Sequence, residues 1–274
     1  MKTIVSPTDF SALSLNAANY AADMACVLGT NLALIHVCPI PVTLSDVPVP
    51  SYPLEDLISD AEKNIAALKG RLLARTGGRI TILTEVGMGF IIPQLNEYCA
   101  RLDPYAVVMG TERANGFERM IAGATTFSAM SQLSWPVITV PDGAEFRGLR
   151  KVGLACDLKN VTETLPVAEI KSLVKEFHAE FHVLHVDGGA VSFTPEEVSE
   201  SVALQEMLGD LLPIYHFMDG SDVETTICEF AEKHDFDMLF VFPKKHTILS
   251  KILNHSHSKR LVLQTHIPVL SLHE

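Results

Sequence analysis

Val107-Val108-Met109-Gly110 leads through a polar stretch to Trp135-Pro136-Val137-Ile138-Thr139-Val140. Further on, Leu239-Phe240-Val241-Phe242 leads over the same distance to Ile267-Pro268-Val269-Leu270-Ser271-Leu272. Gly110 to Pro136 aligns with Phe242 to Pro268 without a gap, and such self-similarity means two related domains. The repeat extends outward from there. Lys2-Thr3-Ile4-Val5-Ser6-Pro7-Thr8-Asp9 opens the chain, and Arg150-Lys151-Val152-Gly153-Leu154-Ala155-Cys156-Asp157 opens its second half. Leu34-Ile35-His36-Val37 recurs as Val183-Leu184-His185-Val186. Each half therefore starts with a short strand ending in Asp, passes through a helical stretch, and reaches a strand ending in His-Val. The join, near Asp142–Leu149, holds Gly143 and Gly148, which sets domains at 1–143 and 150–274.

Composition narrows the function. A chain of 274 residues suits two domains, each able to bury a core. A hydrophobic content of 47% rules out a largely disordered chain. No apolar run approaches the roughly 18–20 residues that cross a bilayer, and Met1-Lys2 leads into a strand. Five cysteines without a C-x-x-C pair point to reduced thiols in a cytoplasmic protein. The net charge of −12 argues against nucleic acid as the partner, because a phosphate backbone needs a basic face.

Thr3–Pro7 reads as a buried strand. Ser11 caps a helix whose apolar residues recur at helical spacing until Gly29. Leu32–Val37 is a continuous apolar strand of the kind found in parallel sheets covered on both faces. After a Pro- and Ser-rich loop at 39–53 come a helix from Leu54 to Leu72, a strand at Ile80–Val86, a helix at Ile91–Leu102 and a strand at Ala106–Met109. A helix through Ala129–Leu133 precedes the strand Val137–Val140. The second half repeats the order, with strands at Val152–Ala155, His182–Val186, Ile214–Met218, Met238–Val241 and Val269–Leu272. Its helices are expected near Val167–Phe177, Pro195–Leu212, Val223–Lys233 and Lys259–Gln264, with a solvated acidic face on 195–210. This alternation predicts an α/β chain of two tandem, doubly wound, five-stranded parallel sheets.

In such sheets ligands sit beyond the carboxyl ends of the strands. The first half offers Pro7-Thr8-Asp9, Val37-Cys38, Val86-Gly87 and Met109-Gly110 there. Gly110 to Thr126 then ends at a helix, where backbone N–H groups near Gly123, the helix dipole and two hydroxyls form an anion cradle. Glycines that only serve turns would give the same pattern.

At these residues the chain resembles a known family, the universal stress proteins in their tandem form. The resemblance spans essentially all of the chain and is strongest in Val-x-Pro-Thr-Asp-Phe-Ser, Leu-x-x-Ile-His-Val and Pro-Val-x-x-Val. It implies an adenine nucleotide alpha hydrolase-like fold with the halves paired as a pseudo-dimer through Val137–Val140 and Val269–Leu272, which would also cover exposed edges. Nucleotide-binding members carry G-x2-G-x9-G-[ST] after the fourth strand. Gly110, Arg113, Gly123 and Ala124 stand at the matching positions, so the spacing is kept and two residues are changed. The same match places Thr8 and Asp9 at the adenosine end of ATP or AMP and Val37 at the base. It places Met109 and Gly110 near the ribose and phosphates, and Gly123, Ala124, Thr125 and Thr126 around the phosphates.

The departures matter. Arg113 brings a Cβ where a glycine allows close backbone approach, although its guanidinium can pair with a phosphate. Ala124 lacks the hydroxyl donor, and a lost hydrogen bond to a charged group costs roughly 1.5–3 kcal/mol, about ten- to hundredfold in affinity. In the second half Phe242, Lys245, His255 and Ser256 fill the four positions, which argues against nucleotide there. His246, His255 and His257 can either ligate zinc or face solvent; no metal site is expected. His36 and His185 are expected to be hydrogen-bonded core histidines, Asp9 and Asp157 to bind or fix loops, and Trp135 to serve an interface.

The expected function is that of a cytoplasmic stress-response protein acting by binding, its first domain a nucleotide sensor. It has no assigned catalytic residue, its protein partners are unknown, and further homodimerisation is possible. A scaffold with both sites dead is the nearest rival. An ATP-consuming enzyme would need more carboxylates than Asp9 near the phosphates, and no G-x-x-x-x-G-K-[ST] loop exists. A flavoprotein would share the architecture but finds no suited loop. Fold alone does not decide among these.

Overall fold

The structure, a computed structural model, describes residues 2–40, 54–112, 124–187, 194–242 and 257–272, without the side chains of 257–259 and 263. Arg113, Gly123, His246, His255 and the bulk of the 39–53 loop lie outside these residues, as does the side chain of His257.

The first repeat begins with β1 (Thr3–Pro7), buried along its whole length. Helix α1 (Ala12–Leu28) follows, with the Ser11 side chain accepting from the Ser14 N–H and Gly29 closing the far end at φ 60°. A left-handed residue after the last turn costs glycine nothing, so Ser11 and Gly29 together define the helix length. Its buried face is rich in alanine, with Ala17, Ala18, Ala21, Ala22 and Ala25 all buried. Small side chains let the helix lie close on the strands beneath. Then come β2 (Asn31–Cys38), α2 (Leu54–Arg75), β3 (Ile82–Met88), α3 (Ile91–Leu102), β4 (Ala106–Thr111), α4 (Ala124–Gln132) and β5 (Val137–Pro141). β1 pairs in parallel with β2 on one side and β4 on the other, and β2 with β3. β3 starts two residues later than expected. The chain first turns through Gly77 and Gly78, both at positive φ, and Ile80 is buried before the strand begins.

The second repeat has the same connectivity. β6 (Lys151–Ala155) pairs in parallel with β7 (Glu180–Asp187) and β9 (Met238–Val241). β7 pairs with β8 (Ile214–Asp219), and β9 with β10 (Val269–Ser271). Its helices are α5 (Val161–Thr164), α6 (Val167–Phe177), α7 (Pro195–Leu208), α8 (Val223–Lys233) and α9 (His257–Gln264). Both repeats are thus α/β, with the strand joined first by a helix crossing to its neighbour, the right-handed crossover pattern of open parallel sheets.

Three details depart from expectation for physical reasons. Helix α6 spans Val167–Phe177 as expected, but a short α5 precedes it, set apart because Pro166 forces Leu165 into an extended conformation, at φ −93° and ψ 123°. Helix α7 stops at Leu208 and a single 3-10 turn, Gly209–Leu211, carries the chain to Leu212, where Pro213 disfavours the helical region and the residue adopts φ 52°. The acidic face of 195–210 is only partly solvated: Glu200 accepts from the Val161 N–H at 2.7 Å, and Asp210 pairs with Lys171 and Lys175.

Each repeat has its own core. Tyr20, Met24, Leu32, Leu68, Leu72 and Leu95 are fully buried in the first, and Leu154, Ile170, Phe181, Leu184, Leu204 and Phe240 are buried in the second. At roughly 1.5–3 kcal/mol for each large side chain, such burial dominates the stability of both. Grouped by contacts, the described chain divides between Val137 and Ile138, so most of β5 belongs with the second unit. Within that unit the Thr139 hydroxyl donates to the Val269 carbonyl at 3.2 Å.

Candidate functional site

At the carboxyl edge of the first sheet, the turn between β1 and α1 is a closed network of its own groups. The Thr8 N–H donates to the Ile35 carbonyl at 2.9 Å, which carries β1 one residue past its last ladder pair. The Thr8 hydroxyl accepts from the Phe10 N–H at 3.0 Å and shares a hydrogen bond with the Ser14 hydroxyl at 3.1 Å. Asp9 is exposed, and its Oδ1 accepts from the Ser11 N–H at 3.0 Å and the Ser11 hydroxyl at 2.6 Å. Partial burial pushes its carboxyl up, but the hydrogen bonds from Ser11 and Ser14 outweigh this and hold it below the usual carboxylate range. Asp9 is therefore a fixed anion at neutral pH. Its loop-fixing duty is visible in these bonds.

β2 clamps the turn from behind. His36 Nδ1 lies 2.7 Å from the Thr8 carbonyl. A carbonyl only accepts, so the proton sits on Nδ1. Phe10, at φ 63°, lays its ring against the His36 ring with centroids 4.6 Å apart. Next to His36, Val37 is half-buried at the strand end. The Gly89 N–H donates to the Cys38 carbonyl at 2.9 Å, which brings the β3–α3 connection to the end of β2. That connection exposes Phe90 by 78%, and Ile40 past the end of β2 is 56% exposed. Neither residue stands out in the sequence. The Gly87-Met88-Gly89 spacing before an aromatic residue is the only sign that a bare ring is presented there.

β4 supplies Met109, which is buried, and Gly110. A Cβ on Gly110 would meet the Leu13 carbonyl oxygen at 2.5 Å and its carbonyl carbon at 2.8 Å. The missing side chain is thus explained by the approach of the first turn of α1. Thr126 is buried, and its hydroxyl donates to the Gly110 carbonyl at 2.9 Å, tying α4 to the end of β4. Ala124 and Thr125 are exposed at the start of α4, whose first turn carries no acidic side chain. A helix start without its own carboxylate leaves the positive end of the dipole to an external anion. Of the sequence-derived site residues, Thr8, Asp9, Val37, Met109, Gly110, Ala124, Thr125 and Thr126 gather at this edge.

The second unit repeats four of the turn's hydrogen bonds. The Cys156 N–H donates to the Leu184 carbonyl at 3.0 Å, the Leu158 N–H to Cys156 Sγ at 3.4 Å, and the Lys159 N–H to Asp157 Oδ1 at 3.3 Å. His185 Nδ1 lies 3.0 Å from the Cys156 carbonyl, as His36 does from Thr8, and Leu158 has φ 50° where Phe10 has 63°. Both histidines hold backbone, as expected.

The sequence model of the Universal stress protein family matches twice, over residues 1–141 and 148–273. The chain belongs to the universal stress protein family. Among solved structures, a universal stress protein from Archaeoglobus fulgidus DSM 4304 matches 99% of this chain and 96% of its own, with 18% identity and a TM-score of 0.74. A putative universal stress protein from Pseudomonas aeruginosa UCBPP-PA14 matches 100% and 93%, with 14% identity and a TM-score of 0.61. At such identities the likeness concerns the fold. No curated protein sequence matches the chain.

In this tandem universal stress protein the two carboxyl edges differ in filling. Leu158 is buried where Phe10 is half-buried, and a half-buried Phe242 stands where the first half has Gly110. Among the described residues no group of three or more His, Cys, Asp and Glu side chains is placed to hold a metal ion. Nor is any described helix long and apolar enough to cross a membrane.

Proposed function

We propose that this universal stress protein is a cytoplasmic protein that acts by binding, with an adenine nucleotide such as ATP or AMP held weakly by its first domain and none by its second. The observations that carry the reading are a fixed carboxylate at the end of β1 and a helix, α4, whose first described turn holds no acid. Asp9 stays ionised and exposed at the end of β1, and α4 begins with exposed Ala124 and Thr125 and no acid in its first turn. The carboxylate suits hydrogen-bond donors of a ribose or an adenine amine, and the helix start suits a phosphate. On this reading Val37 lines the base and Met109 the ribose. In the second domain, the burial of Leu158 and the bulk of Phe242 argue against a bound nucleotide.

The test is direct. Purified full-length protein is denatured and the released small molecules are analysed, and the native protein is melted with excess ATP or AMP. A nucleotide in the extract, or a shift that Asp9→Asn reduces, supports the proposal. Arg113→Gly then reads the arginine's role: tighter binding means that it blocks the site, weaker binding that it contacts the ligand.

A second reading, an interaction scaffold with no nucleotide, is favoured by one specific observation. Gly110 and Thr126 both have duties inside the fold, against Leu13 and between α4 and β4. No released nucleotide and no thermal shift would put the scaffold ahead. Phosphate release above a blank, lost in Asp9→Asn, would favour an enzyme instead.

A further inference from the structure

The second unit carries a titratable cluster near the amino end of its sheet, away from the carboxyl edge. His182 on β7 is 5% exposed. Its Nε2 lies 2.7 Å from Glu180 Oε1, and its Nδ1 lies 2.8 Å from Nε2 of His216 on the neighbouring strand β8. The two imidazoles lie edge to edge and nearly coplanar, with centroids 5.1 Å apart and planes at 16°. Phe236 meets His182 edge-on at 4.8 Å, and Phe230 from α8 covers His216 at 4.8 Å. The charged and titratable groups facing the pair are Glu180 on β7, Lys151 on β6 and His234 at the end of α8. Lys151 donates to the His234 carbonyl at 2.9 Å and lies over the Phe236 ring at 5.5 Å.

The hydrogen-bond chemistry of this chain has one neutral solution. A carboxylate accepts, so His182 donates to it through Nε2, and its Nδ1 is left as a lone pair. That lone pair must accept from His216, which therefore carries its own proton on Nε2. The reverse tautomer of His182 would set a lone pair against the Glu180 carboxylate. A proton added to His182 lands on Nδ1 and points at the N–H of His216. A proton added to His216 places a cation beside Lys151 and His234, among phenylalanine rings.

We propose that Glu180, His182 and His216 form an acid-released clasp, which ties the edge strand β8 to β7 while both imidazoles are neutral and lets β8 loosen when one of them is protonated. Burial pushes both imidazoles below the ordinary histidine range; at His182 it outweighs the upward pull of the Glu180 carboxylate, and at His216 the neighbouring His182, His234 and Lys151 add to it. The sign follows. Between the folded value and an unfolded value of about 6.5 the unfolded chain binds more protons, so stability falls as the pH drops through that window. Below the folded value the loss is complete. The clasp does not involve the nucleotide reading and stands or falls apart from it.

The experiment uses the full chain. Long-range proton–nitrogen NMR of the imidazoles between pH 5 and 8 gives tautomers and midpoints, and amide exchange gives the protection of β8 relative to β6, corrected for intrinsic rates. We expect Nε2–H tautomers for both rings at pH 7.5, midpoints below about 6.5, and a loss of β8 protection of about tenfold by pH 5.5. His216→Phe should remove that pH dependence; if it fails to fold, Glu180→Gln, at an exposed position, takes away the acceptor that fixes the proton order and should lose the Nε2–H pair at pH 7.5. Midpoints at or above the ordinary value, or another tautomer pair, would overturn the clasp. So would β8 protection that follows β6 at every pH, pH dependence that survives in folded His216→Phe protein, or an Nε2–H pair that survives Glu180→Gln.

Discussion

Replacing Gly110 with alanine separates packing from ligand binding more sharply than any other single change. The new Cβ would sit 2.5 Å from the Leu13 carbonyl oxygen, 2.8 Å from the carbonyl carbon and 3.2 Å from Leu13 Cβ. The nearest two atoms are backbone in the first turn of α1, so no rotamer relieves the contact. Ordinary van der Waals separation requires the helix start to move by roughly 1 Å. That start is pinned by the Ser11 cap and by the Thr8–Ser14 hydrogen bond, which the move would strain. Overpacking of about 1–3 kcal/mol plus part of a cap worth about 1 kcal/mol gives about 1–4 kcal/mol in all. For a domain of this size the melting midpoint should fall by on the order of 10 °C, measured by calorimetry on nucleotide-free protein. Gly70→Ala is the matched control, because Gly70 lies exposed within α2 with nothing within 4 Å of its virtual Cβ. It should raise stability by up to about 1 kcal/mol through helix propensity. A Gly110→Ala protein that melts with the parent, yet binds ATP or AMP less well, would refute the packing argument and return the glycine to the ligand.

Other outcomes follow from the second unit and from the thiols. Arg260 bonds to both Asp222 and the buried Glu224, at 3.0 and 3.3 Å, so Arg260→Met should cost about 1–3 kcal/mol in denaturant titration, and adding Glu224→Gln should recover part of it. His178 closes α6 at φ 52°, in the left-handed region that glycine occupies freely, so His178→Gly should stabilise by up to about 1 kcal/mol. Side-chain hydrogen bonds from Lys171 and Lys175 hold the Asp210 carboxyl at about 2 against the usual 3.8. Its contribution is present above 3.8 and fades as the pH falls toward 2, so Lys171→Ala should flatten acid unfolding in that window. Burial pushes the Cys99 and Cys228 thiols up to about 12, so both should resist alkylation in native protein at pH 8 and react after unfolding, read by mass spectrometry.

Local signals in the sequence were enough to place nearly every strand and helix. Ser11 and Gly29 bounded α1 because caps act within one turn. Leu158 and Phe10 could not be recognised as left-handed residues, because their conformation is imposed by the hydrogen bonds around Thr8 and Cys156 rather than by their own chemistry. The helix break at Leu165 follows from Pro166 and was readable, yet the short α5 before it depends on Glu200, a residue distant in sequence. At the site, Thr8 and Asp9 were legible as a strand end. The duty of Thr126 was not, since the carbonyl it serves belongs to Gly110 in another element. Val37 carried an apolar signal, whereas the exposure of Phe90 arises only from where the β3–α3 connection lies.

The matched turns at Thr8 and Cys156 are completed by their own side chains and by one imidazole each. A frame of that kind keeps its shape whether or not anything is bound to it. After duplication, changes at the rim of one copy could accumulate without threatening the architecture of either. The shape of each turn is therefore independent of what its rim carries, and a rim transplanted from one half to the other would meet a ready-made foundation.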